Sequence, residues 1–366
     1  MIRSVEDYGE SILYALRSLY SQYGYSRYKM NKFEEYDLYA RHKDFLVSDS
    51  VITFTDGTGK LLALKPDVTL SIVKNTRDDE GTKKLYYNEN VYRVRKGSRN
   101  FGEIMQVGLE CIGKIDEYSL YEVLSLASDS LDCISPSNVL SVSHLGILSE
   151  VMDFCRVPES KKPDVLRCIG EKNLHELSGV FAGIGDDKAD IIRFLVRLSG
   201  KTSECLPQIK EKLTGVVSER TLDDFISVMQ SLSGRENIKI DFSVIGDIHY
   251  YNGFVFKGFV EGIPSGILSG GQYDSLMKEM ARSSGAVGFA VYLDTLEQFF
   301  GVREEYDIDT LLLYEDGTML SCIAAEAEKI KKSGASVLAV SAIPDGVRYR
   351  NIIRVTKDGE INGQNA

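Results

Sequence analysis

The sequence predicts an α+β protein in which an antiparallel sheet is flanked by helices, with a helical insertion and a small second domain. Two patterns indicate this class. In the first third of the chain, alternating apolar and polar runs flank turn-forming residues, which is typical of antiparallel hairpins. From 146 to 235, apolar residues recur at helical spacing instead, and strand patterns return only after that stretch.

The length and composition indicate a globular chain of more than one domain. With 366 residues, 43% of them apolar, the chain exceeds one ordinary hydrophobic core. We therefore predict a first domain over 1–300, interrupted by the insertion at 146–235, and a small α/β domain with a β-α-β unit over 306–366. The net charge of −11 argues against a broad nucleic-acid interface, which requires clustered Lys and Arg.

The six cysteines favour neither a disulfide framework nor a metal site, because they are scattered and have no nearby histidine ligands. The N-terminal apolar stretch contains acidic residues, which excludes a secretory signal, and no apolar run reaches membrane-spanning length. We therefore expect a cytoplasmic protein, and the sequence indicates no metal and no cofactor.

The N-terminal elements are predicted from the spacing of apolar residues. The stretch 4–23 has apolar residues at helical spacing and stops at Gly24, which predicts a core helix. The run 25–30 alternates like a strand, and 33–36 is predicted as a loop.

Two hairpins follow in the sequence. The first joins Val51–Phe54 to Leu61–Leu64 through a turn with two glycines, and the second joins Leu85–Tyr92 to Ile104–Ile112. The other predicted elements are a helix at Val68–Lys74, a helix at Tyr118–Cys133, a strand at Val139–Val142, the helical insertion, strands at Ile238–Phe242 and Tyr250–Val260, and a C-terminal unit of Thr310–Tyr314, Thr318–Ser333 and Val337–Val340. Residues 360–366 are predicted as a frayed tail.

The second hairpin has a polar face. Gln106 and Glu110 are four residues apart, so they point to the same side of one strand, and Arg93 lies on the partner strand. These groups would be costly if buried without partners. They suit a small zwitterion, with Glu110 taking an ammonium and Arg93 a carboxylate or phosphate. A solvated face, with Arg95, Lys96 and Arg99 in a basic loop tip, fits the same residue types, and both interpretations stay open.

Other polar positions also have an ordinary structural interpretation. Asp67, or Thr69 beside it, stands where a side chain commonly caps a helix. His144 and His175 lie in apolar surroundings, for which a structural role is expected.

Six segments in a fixed order resemble the histidyl-tRNA synthetase catalytic domain, which is a class II aminoacyl-tRNA synthetase fold. They are Leu64-Lys65-Pro66-Asp67-Val68-Thr69, Val91-Tyr92-Arg93-Val94-Arg95, Gln106-Val107-Gly108-Leu109-Glu110-Cys111-Ile112-Gly113, Tyr250-Tyr251-Asn252-Gly253-Phe254-Val255-Phe256, Gly270-Gly271-Gln272-Tyr273-Asp274 and Gly288-Phe289-Ala290. The resemblance spans roughly residues 5–300 and implies an antiparallel sheet with a helical insertion before the last strands.

The resemblance also implies roles for individual residues. Asp67 and Thr69 match positions that hold the substrate amino group in the family, and Arg93 matches the arginine that binds the α-phosphate and carboxylate. Two more amino-acid contacts match Gln106 and Glu110, and the paired tyrosines that line the histidine side-chain pocket match Tyr250 and Tyr251. A histidine-like ligand site is therefore expected.

The departures from the family pattern concern catalysis. The arginine that promotes adenylate formation falls on Gly246, and the arginine that clamps ATP falls on Thr295. Losing two cations should cost several kcal/mol of barrier in a site that stabilises polyphosphate charge. In addition, His249 replaces an acidic residue, and Lys65 replaces the usual arginine before Pro66.

A chain with this fold, a partly retained histidine site and no adenylation arginines resembles the regulatory-subunit family of ATP phosphoribosyltransferase. That resemblance implies a non-catalytic subunit that joins a short catalytic subunit, is needed for its activity and takes part in histidine feedback in the first step of histidine biosynthesis. It also implies a homodimer through residues 4–30, enlarged by the partner into a hetero-oligomer, although Met30-Asn31 lacks the usual proline. The alternatives are a divergent histidyl-tRNA synthetase and a synthetase-like paralogue that binds an amino acid or RNA.

Overall fold

The computed structural model describes residues 8–46, 50–78, 81–94, 100–180, 186–246, 250–300 and 306–365. The chain divides into two compact units. The larger unit is Gly9–Phe299, and the smaller contains Tyr8 and the described residues from Phe300 onward.

The larger unit has twelve described strands in two sheets. They are β1 (Ser26–Arg27), β2 (Phe33–Glu35), β3 (Thr53–Thr55), β4 (Leu61–Leu64), β5 (Lys83–Val94), β6 (Phe101–Gly113), β7 (Asn138–His144), β8 (Ser199–Lys201), β9 (Ile238–Asp241), β10 (Phe254–Val260), β11 (Leu268–Gln272) and β12 (Gly285–Tyr292). The main sheet has the order β1-β5-β6-β12-β11-β10-β7-β9-β8, and β2-β4-β3 form a second sheet. Most neighbours in the main sheet are antiparallel, whereas β1 pairs with β5 and β7 with β9 in parallel.

Twelve helices accompany these strands among the described residues. They are α1 (Tyr8–Gln22), α2 (Tyr36–Arg41), α3 (Thr69–Asn75), α4 (Glu117–Ile134), α5 (Leu145–Phe154), α6 (Lys162–Gly170), α7 (Leu174–Val180), α8 (Asp186–Arg197), α9 (Thr202–Leu213), α10 (Glu219–Ser231), α11 (Asp274–Glu279) and α12 (Leu293–Phe300). Helices α5 to α10 form the predicted helical stretch, which also contributes the short strand β8 to the edge of the main sheet.

Helices α1 and α4 pack on one face of the main sheet. Tyr20 of α1 is fully buried, its ring meets Phe289 of β12 edge to face at 6.0 Å, and its hydroxyl lies 3.1 Å from Ser130 Oγ of α4. Apolar burial on this face leaves the opposite face of the same strands for polar residues.

In its described residues from 306 to 365, the smaller unit is a four-stranded sheet with one helix. Its elements are β13 (Ile308–Tyr314), α13 (Leu320–Lys332), β14 (Val337–Val340), β15 (Tyr349–Val355) and β16 (Ile361–Asn365), in the sheet order β14-β13-β15-β16. β13 and β14 are parallel, as the predicted β-α-β unit requires. Leu312, Ile330 and Val355 form its core.

The α+β class is confirmed, and three local predictions are wrong. The segment 33–36 is not a loop, because Phe33 pairs with Leu64 in a strand and α2 begins at Tyr36. The predicted frayed tail contains β16, which pairs with β15. The predicted strand at 25–30 shortens to Ser26–Arg27.

None of the described helices combines the length and the apolarity that crossing a bilayer requires. The six thiols form no disulfide, and the described residues contain no group of three metal-ligating side chains.

Candidate functional site

The polar face of the second hairpin lies on β5 and β6, the second and third strands of the main sheet. In the register of β5 and β6, Glu89 is opposite Gln106, and Arg93 is opposite Gly102. Alternate residues of a strand share a face, so Arg93, Gln106 and Glu110 lie on one side of the sheet. Strand β12 pairs with the edge of β6 that β5 leaves free, and Gly288 of β12 is directly opposite Glu110.

Glu110 is a buried carboxyl held by two hydroxyls. Thr69 Oγ1 donates to Oε1 at 2.8 Å, and the Tyr273 hydroxyl donates to Oε2 at 2.5 Å. Burial raises the pKa of Glu110 to about 8, despite these two hydrogen bonds. No described Lys or Arg lies within ion-pair distance of this carboxyl. The group therefore carries a proton at neutral pH, and a cationic ligand nitrogen would favour its ionised form.

Glycines make room for these side chains. A Cβ at Gly288 would collide with Glu110 Oε2, and a Cβ at Gly108 would lie 2.6 Å from the Tyr87 hydroxyl. Any larger residue at either position would displace the carboxyl or the ring.

Tyrosine rings surround the carboxyl. The rings of Tyr250 and Tyr251 meet at 4.7 Å between centroids, and Tyr250 lies 5.6 Å from Tyr273. Burial raises the pKa of each of these three phenols, as it does that of Tyr87. The wall is therefore neutral and presents hydroxyl groups and ring faces, which suits an aromatic ligand.

Arg93 supplies the positive end of the face. It is 8% exposed, and its guanidinium carbon lies 5.9 Å from the centre of the Tyr292 ring. Tyr292 is in turn opposite Gln106 in the pairing of β12 with β6. No described carboxylate forms an ion pair with Arg93. The Gln106 amide, 5% exposed, makes no hydrogen bond to any described residue. The Arg93 guanidinium is hydrogen-bonded to the Tyr292 side chain. A guanidinium still has further donors, so Arg93 and the neighbouring Gln106 amide are suited to a ligand carboxylate.

The sequence offered two interpretations of Asp67, a helix cap and a contact to a ligand amino group. Its Oδ1 accepts a hydrogen bond from the Leu70 amide at 2.9 Å, so it caps α3. Burial raises the pKa of Asp67, while the Leu70 amide and the Arg93 charge oppose that rise. The same carboxyl therefore caps the N-terminus of α3 and borders the polar face.

The residues that depart from the family pattern also have clear surroundings. A Cβ at Gly246 would lie 2.6 Å from Tyr251 Cδ2 and 2.8 Å from Val255 Cγ2, so no side chain fits there without movement. Thr295 lies in α12 and is half-buried. His249 and the basic loop residues Arg95, Lys96 and Arg99 lie outside the described residues.

Several residues of the site were not predicted from the sequence. Tyr273 contacts Glu110, and Tyr87 lies against Gly108. Glu89 pairs with the buried ammonium of Lys65. The alternation of β5 contained a signal for Glu89, which is four residues before Arg93 and therefore on the same face.

A family model for histidyl-tRNA synthetase matches residues 6–296. Two curated relatives are a protein of Oceanobacillus iheyensis named ATP phosphoribosyltransferase regulatory subunit and a protein of Methanocaldococcus jannaschii named histidine–tRNA ligase. The first is 26% identical over 78% of this chain and 72% of its own length. The second is 27% identical over 87% of this chain and 76% of its own length.

Solved structures share the fold. A Bacillus halodurans structure described as an ATP phosphoribosyltransferase regulatory subunit/histidyl-tRNA synthetase has a TM-score of 0.74 and 22% identity, and covers 95% of this chain and 94% of its own. A Thermotoga maritima structure described as the ATP phosphoribosyl transferase (HisG:HisZ) complex has a TM-score of 0.60 and 18% identity, and covers 77% of this chain and 96% of its own. The predicted class II synthetase-like fold is confirmed. Since the family model spans more than half of the sequence and its fold is the one observed, the chain belongs to the histidyl-tRNA synthetase family.

Proposed function

We propose that this chain is a non-catalytic, cytoplasmic regulatory subunit of ATP phosphoribosyltransferase, which joins a short catalytic subunit and mediates histidine feedback in the first step of histidine biosynthesis. The names of the relatives support this assignment. The observation that carries it is the buried polar face of Arg93, Gln106 and Glu110, together with Gly246, where a side chain would collide with Tyr251 and Val255.

The absence of an arginine at 246 explains why we propose no adenylation. Tyr251 and Val255 occupy the space that a side chain at this position would need. The second family arginine falls on Thr295, whose hydroxyl carries no charge. A transition state with developing phosphate charge would therefore lack two stabilising cations.

The proposed ligand is free histidine. Its carboxylate would lie beside Arg93 and Gln106, and a protonated nitrogen would pair with Glu110 or Asp67. Gln106 and Glu110 are four residues apart, about 13 Å along the strand, so long side chains and the ligand together must bridge this distance. The Tyr250 and Tyr251 rings would form the wall of the side-chain pocket.

Calorimetry with free histidine on the isolated chain tests the ligand. Because Glu110 has a pKa of about 8, it is mostly protonated at pH 7, and pairing with a cation should release close to one proton. The measured heat should therefore differ between phosphate and Tris buffers. Glu110→Gln should remove this buffer dependence. Absence of heat at millimolar histidine, with the fold confirmed by circular dichroism, would sink the histidine-sensor proposal.

Reconstitution tests the partner. Mixed with a short catalytic subunit, the chain should co-elute with it on size exclusion and raise its rate of phosphoribosyl transfer. Histidine should then lower that rate, and Arg93→Gln should weaken this inhibition while leaving the complex intact. A catalytic subunit that is fully active without this chain would contradict the assignment.

The rival function is a divergent histidyl-tRNA synthetase, which the name of the Methanocaldococcus jannaschii relative favours. A histidine-dependent exchange of pyrophosphate into ATP would establish it. We expect no exchange. A synthetase-like paralogue with another regulatory role is the third alternative, and a neighbouring gene for a short phosphoribosyltransferase would argue against it.

We also propose a homodimer through residues 4–30, enlarged by the catalytic subunit into a hetero-oligomer. Light scattering on the isolated chain should give twice the mass of 40.8 kDa.

A further inference from the structure

A second polar cavity lies on the opposite side of the main sheet from Glu110. Its volume is about 560 Å³, and Gln272 is part of its lining. Gly271 is opposite Gly288, which is opposite Glu110, so Gly271 lies on the Glu110 side. Gln272 is the next residue along β11 and therefore points to the other side. The two sites are separated by the sheet.

His144 supplies a buried donor to this cavity. Its Nδ1 accepts a hydrogen bond from the Ile147 amide at 3.2 Å, and its ring packs edge-on against Phe254 at 4.9 Å. Burial lowers the pKa of His144 to about 4, so at neutral pH the single proton lies on Nε2. The side chain is 9% exposed and lines the cavity, and no described group accepts from Nε2. Because no described group accepts from Nε2, this donor is available to a ligand acceptor in the cavity.

Three helices begin at the cavity. α4 begins after its cap Asp116, α5 after His144 and α10 after Ser218. Their N-termini carry partial positive charge, and Arg220 in the first turn of α10 adds a full one. This end of the cavity favours a carboxylate or another acceptor.

The same lining also contains three carboxylates. Asp116 accepts from the Ser119 amide at 2.8 Å, Glu117 accepts from Ser227 Oγ at 2.5 Å, and Asp224 lies 3.9 Å from Arg220. A phosphate dianion would be repelled by these groups, whereas an ammonium would be attracted. A molecule with both charges fits the lining best.

We propose that this cavity binds a zwitterionic α-amino acid. The ligand carboxylate accepts from His144 Nε2 and lies at the N-terminus of α10 with Arg220, and its ammonium lies beside Glu117 and Asp116. This inference does not depend on the regulatory function proposed above.

NMR of the imidazole groups tests the proposal, because the chain has only 4 histidines. The full chain labelled with ¹⁵N-histidine gives few signals, and His144→Asn identifies the one from His144 while keeping a capping oxygen for Ile147. The probes are the twenty L-amino acids, inorganic phosphate and methylamine, each at about 10 mM, a concentration that detects dissociation constants in the millimolar range.

At least one amino acid should shift the His144 Nε2 signal to saturation, in the wild type and in Glu110→Gln alike. Phosphate and methylamine should leave the signal in place. Arg220→Gln and Glu117→Gln, both at exposed positions, should each weaken binding about two- to fivefold, because water screens an exposed charge pair. The proposal is overturned if no amino acid shifts the signal, if phosphate shifts it equally, or if the shift is lost in Glu110→Gln.

Discussion

Glu110 makes the stability of the larger unit depend on pH. Its pKa is about 8 in the folded chain and 4.5 as an unperturbed side chain. Between these values the folded state holds a proton that the unfolded state lacks, so the contribution of Glu110 to stability is fully present below pH 4.5 and is lost as pH rises from 4.5 to 8. The loss attributable to this group is about 5 kcal/mol at its upper limit, from 1.36 kcal/mol per unit of pKa.

Glu110→Gln should remove that loss, since the amide has the shape of the protonated acid. We expect urea unfolding to show wild type and variant with similar stability at pH 5, and the variant more stable at pH 9. Parallel pH profiles for the two proteins would contradict the buried, protonated carboxyl.

Gly246 permits a second prediction at the scale of one residue. Gly246→Ala places a Cβ within 3 Å of Tyr251 and Val255, so we expect a destabilisation of about 1–3 kcal/mol, as in other overpacked sites. Thr295→Arg, on a half-buried helix position, is the matched control and should cost less.

The double variant Gly246→Arg with Thr295→Arg places arginine at both positions where the family has it, but it does not move Tyr251 away from position 246. We expect no histidine-dependent pyrophosphate exchange from it, because the arginine at 246 cannot lie where Tyr251 already is. Recovery of exchange would show that the site had kept the geometry for adenylation.

The sequence could predict which residues of a strand share a face, but not what meets that face from elsewhere. Alternation places Gln106 and Glu110 together without any tertiary information. The Tyr273 hydroxyl that holds Glu110 comes from a residue 163 positions away, and the periodicity of a single strand contains no information about it. The need for glycine at 288 is likewise visible only once β12 lies beside β6.

At the scale of elements, a buried ion pair joins the segment between β4 and α3 to β5. Lys65 is 1% exposed and its ammonium pairs with Glu89, while its carbonyl accepts from the Tyr92 amide at 2.9 Å. Lys65→Met leaves the Glu89 carboxylate without its partner, and we expect a loss of roughly 3–5 kcal/mol. Lys65→Met with Glu89→Gln should recover part of that loss.

The pair Lys60–Glu35 is the control, because both side chains are about half exposed, at 51% and 52%. Lys60→Met should cost less than about 1 kcal/mol, since water screens an exposed pair. Denaturant unfolding of all three variants measures the difference. Equal costs at the two lysines would mean that burial does not set the strength of the Lys65 pair.

Element prediction succeeded where local signals agree and failed where pairing is remote. The first hairpin has a turn in which Asp56 Oδ1 accepts from the Thr58 and Lys60 amides, and the sequence already contains this turn chemistry. Phe33–Glu35 is a strand only because β4 lies beside it, and β16 only because β15 does. Such short edge strands have no periodicity of their own to detect.

At the scale of the whole molecule, the family assignment and both sites concern the same part of the chain, the larger unit. The family model ends at residue 296, before the part of the smaller unit that begins at Phe300. The Glu110 face and the His144 cavity are both built from residues of the larger unit. The sequence predicted the β-α-β start of the smaller unit but not β15 and β16, which complete its sheet.

A chain that ends at residue 300 should therefore keep both sites. The larger unit contains the whole nine-stranded sheet and its helices, so we expect the truncated chain to give the same thermal unfolding transition and the same His144 signal as the full chain. Its dissociation constant for histidine should agree within about twofold, which is less than 0.5 kcal/mol. The complementary fragment 306–366 has a core of few residues and should be marginally stable alone, because a domain of about 60 residues buries a smaller fraction of its surface than a large domain does. If the truncated chain binds histidine but no longer activates the catalytic subunit, the smaller unit is a docking surface. Loss of histidine binding in a folded truncated chain would contradict the placement of the site in the larger unit alone.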